Sequence, residues 1–221
     1  MNSYTLKIKL LSDATFGRGD GVAGLIDQEV EHNAAGIPFL RGRTLKGLLS
    51  EECENLIALF STETEQQHWQ QVADRLFGTL GSTTHTIAAA HFGDACLPAD
   101  LQAAIAYQVA QAALTPAEVL NALTTIRRQT AIDADTGAPD KGSLRTARVI
   151  LRDHTFSADI LFDQSPTDDM LSLLALGATA LRRLGSCRNR GRGHVRCTLH
   201  DEKENNITID KLSPFNPEAP K

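Results

Sequence analysis

Residues 165–199 read SPTDDMLSLLALGATALRRLGSCRNRGRGHVRCTL, and the order of patterns in them decides the fold. Ser165-Pro166-Thr167-Asp168 supplies a helix cap, and Met170, Leu173, Leu174, Gly177, Leu181 and Leu184 recur on one helical face. A loop of arginine and glycine follows, Leu184-Gly185-Ser186-Cys187-Arg188-Asn189-Arg190-Gly191-Arg192-Gly193, and Val195 to Leu199 then reads as a short strand. An apolar-faced helix that returns through a loop into a strand needs a sheet to lie on.

The sheet is sought upstream. Tyr4 to Leu10 alternates apolar and polar, as a half-buried strand does. Residues 144–162 read as a hairpin with strands Leu144–Leu151 and Thr155–Phe162, and Thr86–Phe92 as a further strand. Leu45, Leu48, Leu49, Leu56, Ile57 and Phe60 share a helical face, and a second helix over Gln66–Phe77 stops at Gly78. Between the strands lie a helix over Leu101–Leu114, another from the Thr115-Pro116-Ala117-Glu118 cap to about Ile126, and a polar loop or hairpin over Arg127–Ser143. Without that middle portion the order is strand, helix, strands, helix, strand. The expected fold is α+β: a ferredoxin-like, RRM-type antiparallel sheet with helices on one face. One domain should span residues 1–199 with an insertion or thumb at about 98–143, and residues 200–221 should be a tail, frayed from Ser213.

The 221 residues are 42% hydrophobic and 22% charged, which excludes wholesale disorder. No apolar run approaches a membrane span, and Met1-Asn2-Ser3-Tyr4 lacks a signal-peptide pattern, so a cytoplasmic protein without a membrane partner is expected. Four cysteines make no disulfide scaffold. The net charge of −5 hides a local concentration: Arg182, Arg183, Arg188, Arg190, Arg192 and Arg196 fall within fifteen residues that contain no acid. In a mildly acidic chain this points to a local anion site. Glycines let backbone approach a phosphate, and guanidinium forks bind it in a bidentate way. Arg41, Arg43 and Lys46 form a second basic cluster at the start of the first helix, where free N–H groups favour an anion. A phosphate is expected there, with the arginine loop nearby.

Other signals fail on context. Gly19-Asp20-Gly21-Val22-Ala23-Gly24 matches a dinucleotide-binding pattern, but it neither follows a strand directly nor opens a helix. Cys187, His194, Cys197 and His200, or His85, His91, Asp94 and Cys96, lack the paired spacing of a zinc site. The long loop over Asp13–Gly36, with Gly17, Gly19, Gly21 and Gly24, is of the kind that carries function.

Four segments in order resemble the RAMP superfamily of CRISPR systems, and within it the backbone subunits of type III effector complexes, with subtype III-D the nearest likeness. Leu184–Gly193 is similar to the family's C-terminal glycine-rich loop. Gly36-Ile37-Pro38-Phe39-Leu40-Arg41-Gly42-Arg43-Thr44-Leu45-Lys46-Gly47 resembles its entry to the first helix, with Arg41 in place of the usual proline. Leu76-Phe77-Gly78, with Phe92-Gly93-Asp94-Ala95, and the loop Arg127–Leu144 are the other two.

The resemblance implies a subunit that binds CRISPR RNA, contacts neighbouring RAMP and other effector subunits, and projects a thumb between guide and target RNA. RNA-binding candidates are Arg41, Arg43, Lys46, Arg128, Arg182, Arg183, Gly185, Arg188, Arg190, Gly191, Arg192 and Gly193. It also implies target-RNA cleavage by an acid in the loop after the first strand, matched by Ile26-Asp27, with Asp20 the nearest second carboxylate. Asp27 would hold Mg²⁺ or another divalent cation, because an aspartate is a weak base at neutral pH. The alternatives are a non-catalytic backbone subunit or a stand-alone CRISPR-RNA processing nuclease. The latter wants a histidine-centred site, for which only His32 is available in this region. Aromatic residues are only 5%, so contacts to the RNA backbone are expected in place of base stacking.

Overall fold

Alternation along the first strand, β1 (Asn2–Leu10), sets the two faces of the main sheet. Leu6, Ile8 and Leu10 are fully buried, while Lys7 and Lys9 between them, and Thr5 before them, are partly exposed. In the computed structural model, which describes residues 2–79, 81 and 87–215, antiparallel register sets Leu6 opposite Ala158 and Leu199, and Ile8 opposite Phe156 and Cys197. Same-face neighbours across strands are therefore apolar on one side only. That side is covered by α1 (Gly42–Ile57), α2 (Glu63–Phe77) and α5 (Asp168–Ala180). Gly177 lets α5 approach α1: a Cβ there would lie 2.5 Å from the Cys53 sulfur.

The four strands run in the order β2-β5-β1-β6, all antiparallel, with β2 at Ala90–Phe92, β5 at Thr155–Phe162 and β6 at Val195–His200. This is the ferredoxin-like arrangement read from the sequence. The chain leaves the sheet after β2 and returns at β5. Between them stand α3 (Ala99–Ala110), α4 (Pro116–Leu123) and a second, two-stranded sheet of β3 (Thr124–Gln129) and β4 (Arg145–Ile150).

Several local expectations are corrected. The helix from Thr115 keeps its capping box but ends at Leu123, not Ile126. Thr124, Thr125 and Ile126 are three consecutive β-branched residues that favour a strand, and the Thr124 hydroxyl donates back to the Leu120 carbonyl. Of Arg127–Ser143, the first three residues complete β3, and the rest is the exposed tip of the β3–β4 hairpin. The expected 144–162 hairpin is not one: β4 pairs with β3, and β5 with β1. The turn between them is fastened to the end of β1, where Asp153 N–H donates to Leu10 O and Leu10 N–H to His154 O, both at 2.9 Å. Asp153 takes φ +74° to do so, and β4 peels away.

The strand expected over Thr86–Phe92 is Ala90–Phe92; Thr86 lies outside the described residues, as does His85. The tail is not free at Ser213. A short helix α6 (Thr208–Lys211) and a single turn over Ser213–Phe215 place the Phe215 ring 4.6 Å from that of Trp69.

The glycine-bearing loop after β1 is laced to the insertion. Ala14 and Ile150 exchange both backbone hydrogen bonds (3.1 and 2.7 Å), and Arg148 N–H donates to Gln28 O (2.9 Å). Beneath this edge the Arg148 guanidinium meets the Glu29 carboxylate at 2.9 Å, and also donates to Asn121 and Thr124. Glu29 is 3% exposed, so a buried ion pair ties the loop to β4 and α4.

Candidate nucleic-acid interface

The arginine-glycine loop is closed by backbone bonds before any side chain is counted. Leu184 N–H donates to Gly193 O and Gly193 N–H to Asp13 O, both at 2.8 Å, and Ser186 N–H donates to Thr15 O at 2.9 Å. Two glycines make this possible. Gly193, at φ +70°, would set a Cβ 1.9 Å from Leu184 O, and Gly185, at φ +82°, one 2.3 Å from Thr15 O. The loop is therefore a rigid arch on the start of the post-β1 loop.

The arch sorts its arginines. Arg182, Arg183, Arg188 and Arg190 are exposed, and Gly191 stands among them in open space. Arg183 is spent on the loop itself, since its Nη1 donates to Arg188 O at 2.5 Å. Arg192 folds back and is only 8% exposed, so it does not belong with the solvated arginines.

Arg188 and Gly185 share a cleft of about 330 Å³ with Phe16, Gly17 and Arg41. Arg41 does not enter it as a free cation, because Glu31 holds its guanidinium at 2.8 Å. Arg43 and Lys46 line a different cleft, beside Gly78, His91 and Phe92. The expected single site at the first helix start is thus divided. The helix terminus is also partly taken: Asp94 accepts the Gly42 N–H at 2.7 Å and puts a carboxylate where an anion was expected.

On its other flank the arch meets the insertion. Arg190 lines a cleft of about 450 Å³ with Arg145, Gln129, Thr130 and Ser143 of the β3–β4 hairpin. Arg128 is exposed on β3, opposite Thr146. The structure therefore brings Arg188 and Arg41 together on one side of the loop, and Arg190 and Arg145 on the other. The outer face of β1, β5 and β6, where Lys7, Lys9, Ser157, Arg196 and Thr198 are registered together, carries no Phe, Tyr or Trp among the described residues, and its one ring is the imidazole of His200.

Asp27 is presented at the edge of this hairpin. Its Oδ2 accepts the Thr146 N–H at 2.6 Å and the Thr146 hydroxyl at 3.1 Å, and its own N–H donates to Thr146 O. The Thr146 N–H, followed by its hydroxyl, holds the Asp27 carboxyl below the usual carboxylate range. It is ionised and a poor proton acceptor at neutral pH. Asp20 is likewise exposed and lowered, chiefly by its hydrogen bond from Arg18 at 2.6 Å. The two carboxylates have separate partners. Among the described residues no group of three or more His, Cys, Asp or Glu has metal-holding geometry. Asp27 leaves Oδ1 without a hydrogen bond from any described residue, so this side chain could offer a hard cation one carboxylate oxygen and no more.

The remaining sequence signals have local partners. His91 meets Asp163 at 3.2 Å, His200 Nδ1 meets Glu204 O, and burial pushes the Cys197 thiol up to about 12. His32 Nδ1 lies 3.1 Å from Asn33 O. Arg127, Arg152, Glu29 and Arg148 were not anticipated as parts of a site. They come together only through the pairing of β3 with β4 and of β4 with the post-β1 loop, which no local sequence pattern signals.

The family model of the RAMP superfamily matches residues 7–196, from within β1 to within β6. The chain belongs to the RAMP superfamily. This RAMP protein is similar in fold to a chain of the type III-B Cmr-beta bound to cognate target RNA, solved by cryo-EM. The TM-score is 0.61 at 14% identity, over 95% of this chain and 98% of that one. It is similar also to a chain of type III-B Cmr-beta in the apo state, with TM-score 0.62 and 14% identity over 89% and 96%. No curated protein matches its sequence. Among the described residues, no helix of this RAMP protein is long and apolar enough to cross a membrane.

Proposed function

We propose that this chain is a backbone subunit of a type III CRISPR effector complex in the cytoplasm, where it binds CRISPR RNA along the sugar-phosphate backbone. The observation that carries this is the backbone-bonded arginine-glycine arch between α1 and the β3–β4 hairpin, in a chain matched to the RAMP superfamily from within β1 to within β6. Likeness in fold to chains of type III-B Cmr-beta, one of them bound to cognate target RNA, supports an assembly with other effector subunits and with target RNA. Exposed guanidinium groups, and an outer sheet face without Phe, Tyr or Trp among the described residues, favour phosphate contacts, which fix position and leave sequence to base pairing.

Asp27 is the residue for cleavage of the paired target RNA. Thr146 fixes the carboxylate beside the tip-side end of the β3–β4 ladder, the hairpin being the thumb in this reading, and keeps it charged. Held jointly by Asp27 and a target phosphate, Mg²⁺ would supply charge neutralisation and a lower pKa for the attacking oxygen. Asp27 itself positions, and takes no proton. In the assembled complex, Asp27→Ala should leave target binding within about twofold and lower cutting at the segment this subunit covers by about 10²-fold or more. Unchanged cutting with binding intact would make the subunit a scaffold.

A further inference from the structure

We propose a second RNA contact behind the arch: a cleft for one phosphodiester, formed by the buried Arg192 and the exposed Arg127 and Arg152. Arg192 is 8% exposed, and among the described residues its Nη1 is the buried side-chain polar atom without a hydrogen-bond partner. A buried guanidinium is ordinarily paired, because removing it from water uncompensated costs several kcal/mol. Here the carboxylate in reach is already committed. Asp13 accepts both Nε and Nη2 of Arg127 (3.1 and 2.7 Å) and the Arg152 N–H (3.2 Å).

Arg192 lines a cleft of about 390 Å³ with Ser12, Asp13, Arg127, Leu151, Arg152 and Gly191. Three guanidinium groups and one carboxylate leave a surplus of positive charge in it. Ser12 does not offset that surplus: its hydroxyl accepts the His194 N–H at 2.9 Å. What the site lacks is an anion with several acceptor oxygens, and a phosphate group presents those oxygens to guanidinium forks. The pocket lies at the junction of the arch, the β3 strand and the β4–β5 turn, so a strand passing from the arch to the hairpin runs by it. The assignment to RNA rests on the function proposed above. The assignment to a phosphate rests on the pocket.

Two measurements on the full chain separate these. In thermal melts, sodium phosphate against sodium chloride at equal ionic strength should stabilise the wild type more than Arg192→Met, with Arg192→Lys between them. In RNA binding, a 5′-hydroxyl single-stranded oligonucleotide should lose about tenfold in affinity with Arg192→Met, and its salt dependence should become shallower by about 0.7. Arg152→Gln, at an exposed residue, should reproduce the direction of both effects if Arg192→Met does not fold. Equal phosphate stabilisation of wild type and variants, with unchanged RNA affinity and slope, would overturn the pocket. Failure of RNA binding with phosphate stabilisation intact would remove the RNA reading and leave the phosphate site. A tenfold preference for the 5′-phosphorylated oligonucleotide that disappears in Arg192→Met would overturn the phosphodiester assignment in favour of an end-binding pocket.

Discussion

Replacing Arg188 and Arg190 together by glutamate should lower RNA affinity by about 100-fold or more at physiological salt, and by the same factor for unrelated sequences. Charge-assisted hydrogen bonds to phosphate are worth roughly 1.5–3 kcal/mol each, and two of them are removed. Both side chains are exposed and neither forms an ion pair among the described residues, so the fold should be kept and the melting temperature should move little. Fluorescence anisotropy across a salt series checks this, because two lost phosphate contacts flatten the slope by about 1.4 for a single strand. A sequence-dependent loss would mean that the loop reads bases. Full binding with an unchanged slope would reduce the loop to a surface turn.

Glu29→Ala should destabilise the fold by about 3–5 kcal/mol, a large part of the stability of a domain this size. The change leaves Arg148, whose side chain is 12% exposed, without its carboxylate. Removing both charges as Glu29→Leu with Arg148→Met should recover most of the loss, since the penalty comes from the orphaned charge and not from the absent bond. Denaturant titration with unchanged slope checks both. The single variant should also loosen Asp27, two residues away, and lower target cleavage beyond what stability alone predicts. A loss under about 1 kcal/mol would show that the loop is held by its backbone bonds to β4 and not by the ion pair.

The parts legible in the sequence were those with a strong period. Leu6, Ile8 and Leu10 alternate, Met170 to Leu181 follow a helical stripe, and both land in one buried layer. The cap at Thr167 and the stop at Gly78 are local chemistry, and they fall where the residues dictate. What failed was pairing. Leu144–Leu151 and Thr155–Phe162 carry the alternation of strands, but alternation does not say which strand lies beside which. The decision rests on Asp153 bonding to Leu10, 143 residues away in sequence.

The site divides in the same way. Six arginines without an acid are visible as a cluster, and the structure divides them: Arg188, Arg190 and Arg192 lie on the arch, Arg182 and Arg183 before it, and Arg196 on the outer face of β6. Their individual fates were not visible, because each depends on a distant partner. Glu31 takes Arg41, Arg188 O takes Arg183, and Asp94 takes the helix start prepared for an anion. Arg192 looked like Arg188 and Arg190 but is buried against the β4–β5 turn. Asp27 could be named only through the resemblance, since nothing in its neighbourhood marks a lone loop carboxylate until Thr146 is seen to grip it.

The central claim, that guide RNA lies along the arch between α1 and the hairpin, is tested most directly by ultraviolet crosslinking of the RNA-loaded protein with mass-spectrometric mapping. Adducts should concentrate in residues 185–192 and 127–146 and be lost from both in the Arg188 and Arg190 double variant. Adducts confined to the outer sheet face, at Lys7, Lys9 and Arg196, and unaffected by that variant, would contradict it.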